Sequence, residues 1–178
     1  MNRRSAIRNA VLFSAGIVLI PSCMEDNKAI FQTRNIKITG SEERMLQLLC
    51  DSILPAGNGF PGAGEFKAHE FVLTMMDDCA SAEDQAKFSD GLAAFETRSQ
   101  TKTGQTFTKN SPEQRHNFLV TLEKNKEAND NVAFFYNSSK HFTVQALTSS
   151  KKYMTEIRKY KMVPGPHFKG CVPVGNQI

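Results

Sequence analysis

The sequence predicts an all-α fold, a small helical domain of about five to six helices with long loops and an extended C-terminal tail. Three observations carry that expectation. Apolar residues recur at helical spacing in successive segments. Several of those segments open on helix-start signals. No β-alternating run of convincing length occurs anywhere in the 178 residues. Hydrophobic residues make up 40% and charged residues 22%, a balance that excludes disorder of the whole chain.

The elements follow in order. Thr39 and Glu42 have capping-box spacing, and Met45, Leu46, Leu48, Leu49 and Ile53 form the stripe of a first helix that Pro55 ends. Gly57 to Gly64 holds five glycine and proline residues and reads as a loop. A second helix is expected from Phe66 to Cys79, with Val72, Leu73, Met75 and Met76 inward. Ser81 and Asp84 cap a third, on which Phe88, Leu92 and Phe95 share one face. The polar stretch from Arg98 to Asn110 reads as a loop. Ser111-Pro112-Glu113-Gln114 is the clearest start: Ser caps, Pro takes the first helical position and Gln closes the box. Phe118, Leu119 and Leu122 follow it. A fifth helix is expected from Asn129 to Leu147, and a sixth short helix or turn from Ser150 to Tyr160. The tail from Val163 onward, with three Pro and three Gly, reads as irregular.

The N-terminus divides the chain. Arg3, Arg4 and Arg8 precede an apolar stretch from Ala10 to Ile20, and Pro21-Ser22-Cys23 follows. A basic head, a short apolar run and a small residue before a cleavage point form a secretory signal, too short to be a comfortable membrane span. The adjacent Arg3 and Arg4 indicate twin-arginine export, although Ala6 stands where Phe is usual in that signal. Ile20-Pro21-Ser22-Cys23 is similar to a bacterial lipobox, in which Cys23 would be acylated and become the new N-terminus. The alternative is a plain cleaved signal. Residues 1–22 are therefore read as a signal peptide, 23–38 as a polar tether and 39–178 as the helical domain. The protein is expected on the periplasmic side of a bacterial membrane, held by lipid on Cys23.

Charge excludes one class of partner. The formal net charge is +4, but residues 1–22 contribute three arginines and no acid. Without them the chain has 19 basic and 18 acidic residues, no electrostatic case for binding nucleic acid.

Catalytic and cofactor motifs fare no better. Gly57-x-Gly59-x-x-Gly62 matches a dinucleotide fingerprint letter for letter, but an apparent helix and Pro55 precede it where a strand is required. His69, His116, His141 and His167 are scattered without metal-ligand spacing, and no Cys-x-x-Cys-His run or Gly-x-Ser-x-Gly elbow occurs. Asp77-Asp78 reads as a solvated pair at a helix end. No catalytic, cofactor-binding or metal residue is expected in this chain. If Cys23 is lipidated, Cys50, Cys79 and Cys171 remain, an odd set in a compartment where disulfides persist. A Cys50–Cys79 bond would close a loop of about 29 residues and contribute about 3–4 kcal/mol. Cys171, in the irregular tail, is the candidate for an intersubunit bond. Free thiols are the alternative.

Several features fall in a fixed order: the twin-arginine head, Ile53-Leu54-Pro55, Pro61-Gly62-Ala63, His69-Glu70-Phe71-Val72, Gln85-x-x-Phe88-x-x-Gly91-Leu92, and Val163-Pro164-Gly165-Pro166-x-x-x-Gly170-Cys171. Together they resemble the gluconate 2-dehydrogenase subunit 3 family, the gamma or small subunits, from about Arg44 to Cys171. The resemblance implies a non-catalytic accessory subunit of an FAD-dependent sugar or polyol dehydrogenase. The FAD would lie in a large flavoprotein of the glucose-methanol-choline type, and in the family electrons often pass on to a c-type cytochrome subunit. The small subunit would carry the export signal, stabilise and anchor its partner. The resemblance further implies that Pro55, Pro61, Gly62, Pro164, Gly165, Gly170 and Cys171 shape the backbone and contact the partner. Twin-arginine export carries folded proteins, which suits a chain that escorts an assembled flavoprotein. The rival reading is a free-standing helical periplasmic lipoprotein with a carbohydrate or protein ligand. It would purify alone and colourless.

Overall fold

The computed structural model describes residues 27–57, 59–124 and 130–160. The signal segment with Arg3 and Arg4, the lipobox Cys23, and the tail with Pro164, Gly165, Gly170 and Cys171 lie outside the described residues. Within them the architecture is all-α.

Helix α1 spans Gly40–Ile53. Its capping box forms as the spacing requires: Thr39 Oγ1 accepts from the Glu42 amide at 3.3 Å, and Glu42 Oε2 accepts from the Thr39 amide at 2.8 Å. Met45, Leu46, Leu49 and Cys50 form its buried face. A short 3-10 turn, Ala63–Phe66, precedes helix α2, Ala68–Cys79. The helix expected from Phe66 therefore starts two residues later. Lys67 stands between the two with φ at 50°, in the left-handed region, and breaks the helical path.

Helix α3 spans Ala82–Thr103 and overruns the loop expected from Arg98. The cause is polar. Ser99 is fully buried, and Asn110 Nδ2 donates to Ser99 Oγ and Thr103 Oγ1, each at 3.0 Å. Gly104, at φ 82°, ends the helix and donates its amide to Gln100 O. Apolar periodicity has no means of marking a helix end that hydrogen bonds hold in the core. Helix α4 spans Pro112–Lys124, with the Ser111–Gln114 box formed at 3.2 and 2.9 Å. Helix α5 spans Asn131–Ser149 and starts on Asp130, whose carboxylate accepts from the Val132 amide at 2.9 Å. The expected sixth element is a single wide turn, Tyr153–Ile157, with π-type bonding.

Helix α5 is the hub, packed along α3 and α2. Gly91 makes the α3–α5 crossing close enough: a Cβ there would meet Asn131 O at 2.0 Å and Phe135 Cβ at 2.7 Å. Around the crossing, Phe95 sits among Phe107, Phe118 and Phe135, with ring centroids 5.0, 5.4 and 5.3 Å away. These are the edge-to-face distances that aromatic rings prefer. All four rings are buried, as is Phe88, 5.0 Å from Phe135. Phe107 comes from the segment expected to be loop. Glu96 draws it inward by accepting the Phe107 amide at 2.5 Å.

Residues 27–38, the described part of the stretch expected as a tether, form a strap lying on α1 and α2. Two carboxylates clasp it. Glu43, on α1, accepts from the amides of Ile30 (2.6 Å) and Phe31 (3.1 Å). Asp77, on α2, accepts from the amides of Arg34 (2.7 Å), Asn35 (2.7 Å) and Ile36 (2.8 Å). Ile36 is 1% exposed and joins the core cluster. Gly40 lets the strap pass: a Cβ there would stand 2.8 Å from Lys28 O.

Candidate partner-binding surface

The loop between α1 and the 3-10 turn holds three of the residues assigned to backbone shaping and partner contact. Gly57 and Phe60 exchange backbone bonds at 3.2 and 2.8 Å, closing a tight turn in which Gly59 takes φ 77°. The Ala63 amide then donates to Leu54 O at 3.0 Å and seals the loop base. Gly62 is required by that closure, because a Cβ there would stand 2.8 Å from Ala56 N and 2.9 Å from Ala56 Cβ. Pro61 and Gly62 are buried, so they act on the backbone, whereas Pro55 is exposed. Phe60, 40% exposed, projects from the tip. The glycines of the apparent dinucleotide fingerprint thus build a turn that follows an α-helix.

Pro55 lines a cleft of about 350 Å³ with Asp51 and Ser52 of α1 and Pro112, Arg115 and His116 of α4. Arg115 is held from below, donating Nε–H to Asn110 O at 3.1 Å. The cleft therefore sets two proline walls beside a cation, an imidazole and a carboxylate, a mixed surface able to seat a protein segment. A second cleft, of about 390 Å³, lies between the strap, α1 and the start of α2. Lys28, Ile30, Arg44, Lys67, His69 and Glu70 line it, and Lys67 pairs with Glu70 at 2.9 Å. The three described histidines are apart: His69 and His116 lie in different clefts, and His141 stacks edge-on against Phe142 on α5. Among the described residues, no group of three His, Cys, Asp or Glu could hold a metal ion.

Asp77, expected in solvent, is 5% exposed. Burial alone would raise its pKa. The amides of Arg34, Ile36 and Asn35, with the Arg34 charge, outweigh that and hold the carboxyl below its ordinary range. Asp130 is held low in the same way: burial opposes, while Arg98, which pairs with it, and the Ala133 and Val132 amides prevail. On α4, Glu123 accepts from Lys140 and from the Tyr136 hydroxyl of α5, which lowers its pKa. Burial, together with Glu123, pushes the Tyr136 hydroxyl upward.

Among the described residues, Cys50 and Cys79 are not bonded to each other. Cys50 is buried against Thr143, whose hydroxyl donates to Sγ at 3.3 Å, while Cys79 is exposed at the end of α2. Burial pushes the Cys50 thiol up to about 12, which keeps it protonated and inert. Asn137-Ser138-Ser139 has the spacing of a glycosylation sequon, but it lies inside α5 with Ser139 fully buried. No helix among the described residues is long and apolar enough to cross a membrane.

Sequence reasoning missed Glu43, Asp77 and Glu96 as acceptors for backbone amides. Capping rules look for a partner three residues away, and these partners are 11 to 43 residues distant. The weak signal was the number of polar positions in 27–38 that surround Ile36 and Phe31.

The fold defines the class: a small all-α domain of five described helices around a phenylalanine core, with its N-terminal strap clasped by carboxylates. The chain belongs to the gluconate 2-dehydrogenase subunit 3 family, whose model matches residues 40–165. The matched span contains Pro55, Pro61, Gly62, Pro164 and Gly165. It leaves out Arg3, Arg4, Cys23, the strap, Gly170 and Cys171. The family places the chain with a dehydrogenase complex as an accessory subunit. No curated protein and no solved structure matches it.

Proposed function

We propose that this chain is the non-catalytic small subunit of a periplasmic-side, membrane-associated dehydrogenase that oxidises sugars or polyols. The catalytic partner is a flavoprotein of the glucose-methanol-choline type that holds FAD, with a c-type cytochrome subunit as electron acceptor. The family match over residues 40–165 carries this reading. The exposed Pro55 in the wall of the α1–α4 cleft supports it, because a rigid apolar group next to a cation is what a protein partner's loop can dock on. In this reading Arg3 and Arg4 direct export, Cys23 carries the lipid, and the folded flavoprotein travels with the chain.

The test is the location of the flavoprotein in cells that make both chains. With the native chain, flavin absorbance and sugar-dependent dye reduction are expected in the periplasmic membrane fraction. An Arg3→Lys, Arg4→Lys double variant should leave both in the cytoplasm. An unchanged location would refute the escort role.

A further inference from the structure

Ile30 is 92% exposed, the most exposed large hydrophobic residue described, and it is held in place. Its amide and that of Phe31 are fixed on the buried Glu43 carboxylate, at 2.6 and 3.1 Å. Gln32 Nε2 closes the turn by donating to Ala29 O at 2.8 Å. A side chain on so fixed a turn loses little further entropy when it is covered, the property of an anchor. Lys28 and Arg44 border the same cleft, and neither makes an ion pair with a described residue. The carboxylates there are engaged, Glu43 by the strap and Glu70 by Lys67.

Chain length says what faces this turn. Three residues separate Cys23 from Asn27, where the described chain begins, so the four Cα-to-Cα steps reach about 14 Å at most. We infer that the strap face is a membrane-contact surface, with Ile30 entering the headgroup region of an anionic phospholipid surface and Lys28 and Arg44 lying against lipid phosphates. This rests on the lipid-anchored reading of Cys23. A single Ile and two cations bind a membrane weakly by themselves. Beside a tethered lipid they act at high effective concentration and set the orientation of the domain.

The chain contains no Trp, so an Ile30→Trp variant carries a single fluorescent reporter at the turn. The exported chain, purified with that substitution, is placed in phosphatidylglycerol vesicles and in phosphatidylcholine vesicles. The expected result is a blue-shifted indole emission, quenched by brominated acyl chains, in the anionic vesicles. Adding Lys28→Glu and Arg44→Glu should lower the ratio of inserted to water-exposed indole by about tenfold or more. A water-like emission in anionic vesicles, or a blue shift that arises only when the flavoprotein is added, would overturn the inference. The mass of the N-terminal residue in the same preparation tests the anchor separately. An unmodified Cys23 refutes the lipid, and the indole emission still reports whether the face meets the membrane.

Discussion

The phenylalanine core and the strap are two solutions to attaching a segment to the same domain. In the core, Phe95, Phe107, Phe118 and Phe135 meet ring to ring, and Gly91 gives α3 and α5 the close approach that brings them together. The strap contributes one fully buried large side chain, Ile36, and is otherwise held by five backbone amides on two carboxylates. The difference teaches what each attachment depends on. Shape complementarity fails when volume changes, whereas amide–carboxylate bonding fails when charge is removed.

The largest expected effect is on the core. Phe95→Ala should cost about 3–5 kcal/mol in chemical denaturation, through lost burial and a cavity among four rings. Gly91→Ala should cost at least about 3 kcal/mol, the upper end of overpacking, since the new methyl would overlap the Asn131 carbonyl. Asp77→Ala comes next, at about 2–3 kcal/mol, because one change strands three amides of the strap. Its signature should be local: hydrogen exchange accelerates at Arg34 to Ile36 and not at Phe135.

Acid should separate the two regions in the same way. The Asp77 pKa is lowered on folding, so its contribution is complete above the ordinary carboxylate value of about 3.9. It is lost as pH falls below that value through the folded pKa. Exchange at Ile36 should therefore rise below about pH 4, whereas the native chain at pH 7 keeps it slow. Asp77→Ala should abolish that pH response. The smallest effect is expected at a helix end: Ser111→Ala should cost about 1 kcal/mol and leave strap exchange unchanged.

These contrasts explain which parts of the fold are legible in the sequence. Phe88, Leu92 and Phe95 repeat at helical spacing, and the Thr39, Ser81 and Ser111 caps act within three residues, so five helices and most of their starts can be read directly. The strap cannot, because Glu43 and Asp77 act across distances that no local pattern encodes. The end of α3 is hidden for a related reason: its last turn is closed by Ser99, Thr103 and Asn110, polar residues that resemble a loop. At the candidate surface, the proline and glycine motif is visible, but its division into buried Pro61 and Gly62 and exposed Pro55 and Phe60 requires the folded loop.

If this chain works as a subunit, it should leave the cell's contents with its partner attached. The most direct measurement is native purification of the tagged chain from cells that also make the flavoprotein, followed by an absorption spectrum and a mass for the eluted species. The expected result is a yellow complex with flavin absorbance, one small chain per flavoprotein, that reduces a dye when sugar is added. A colourless monomer, with the flavoprotein left in the flow-through, would contradict it.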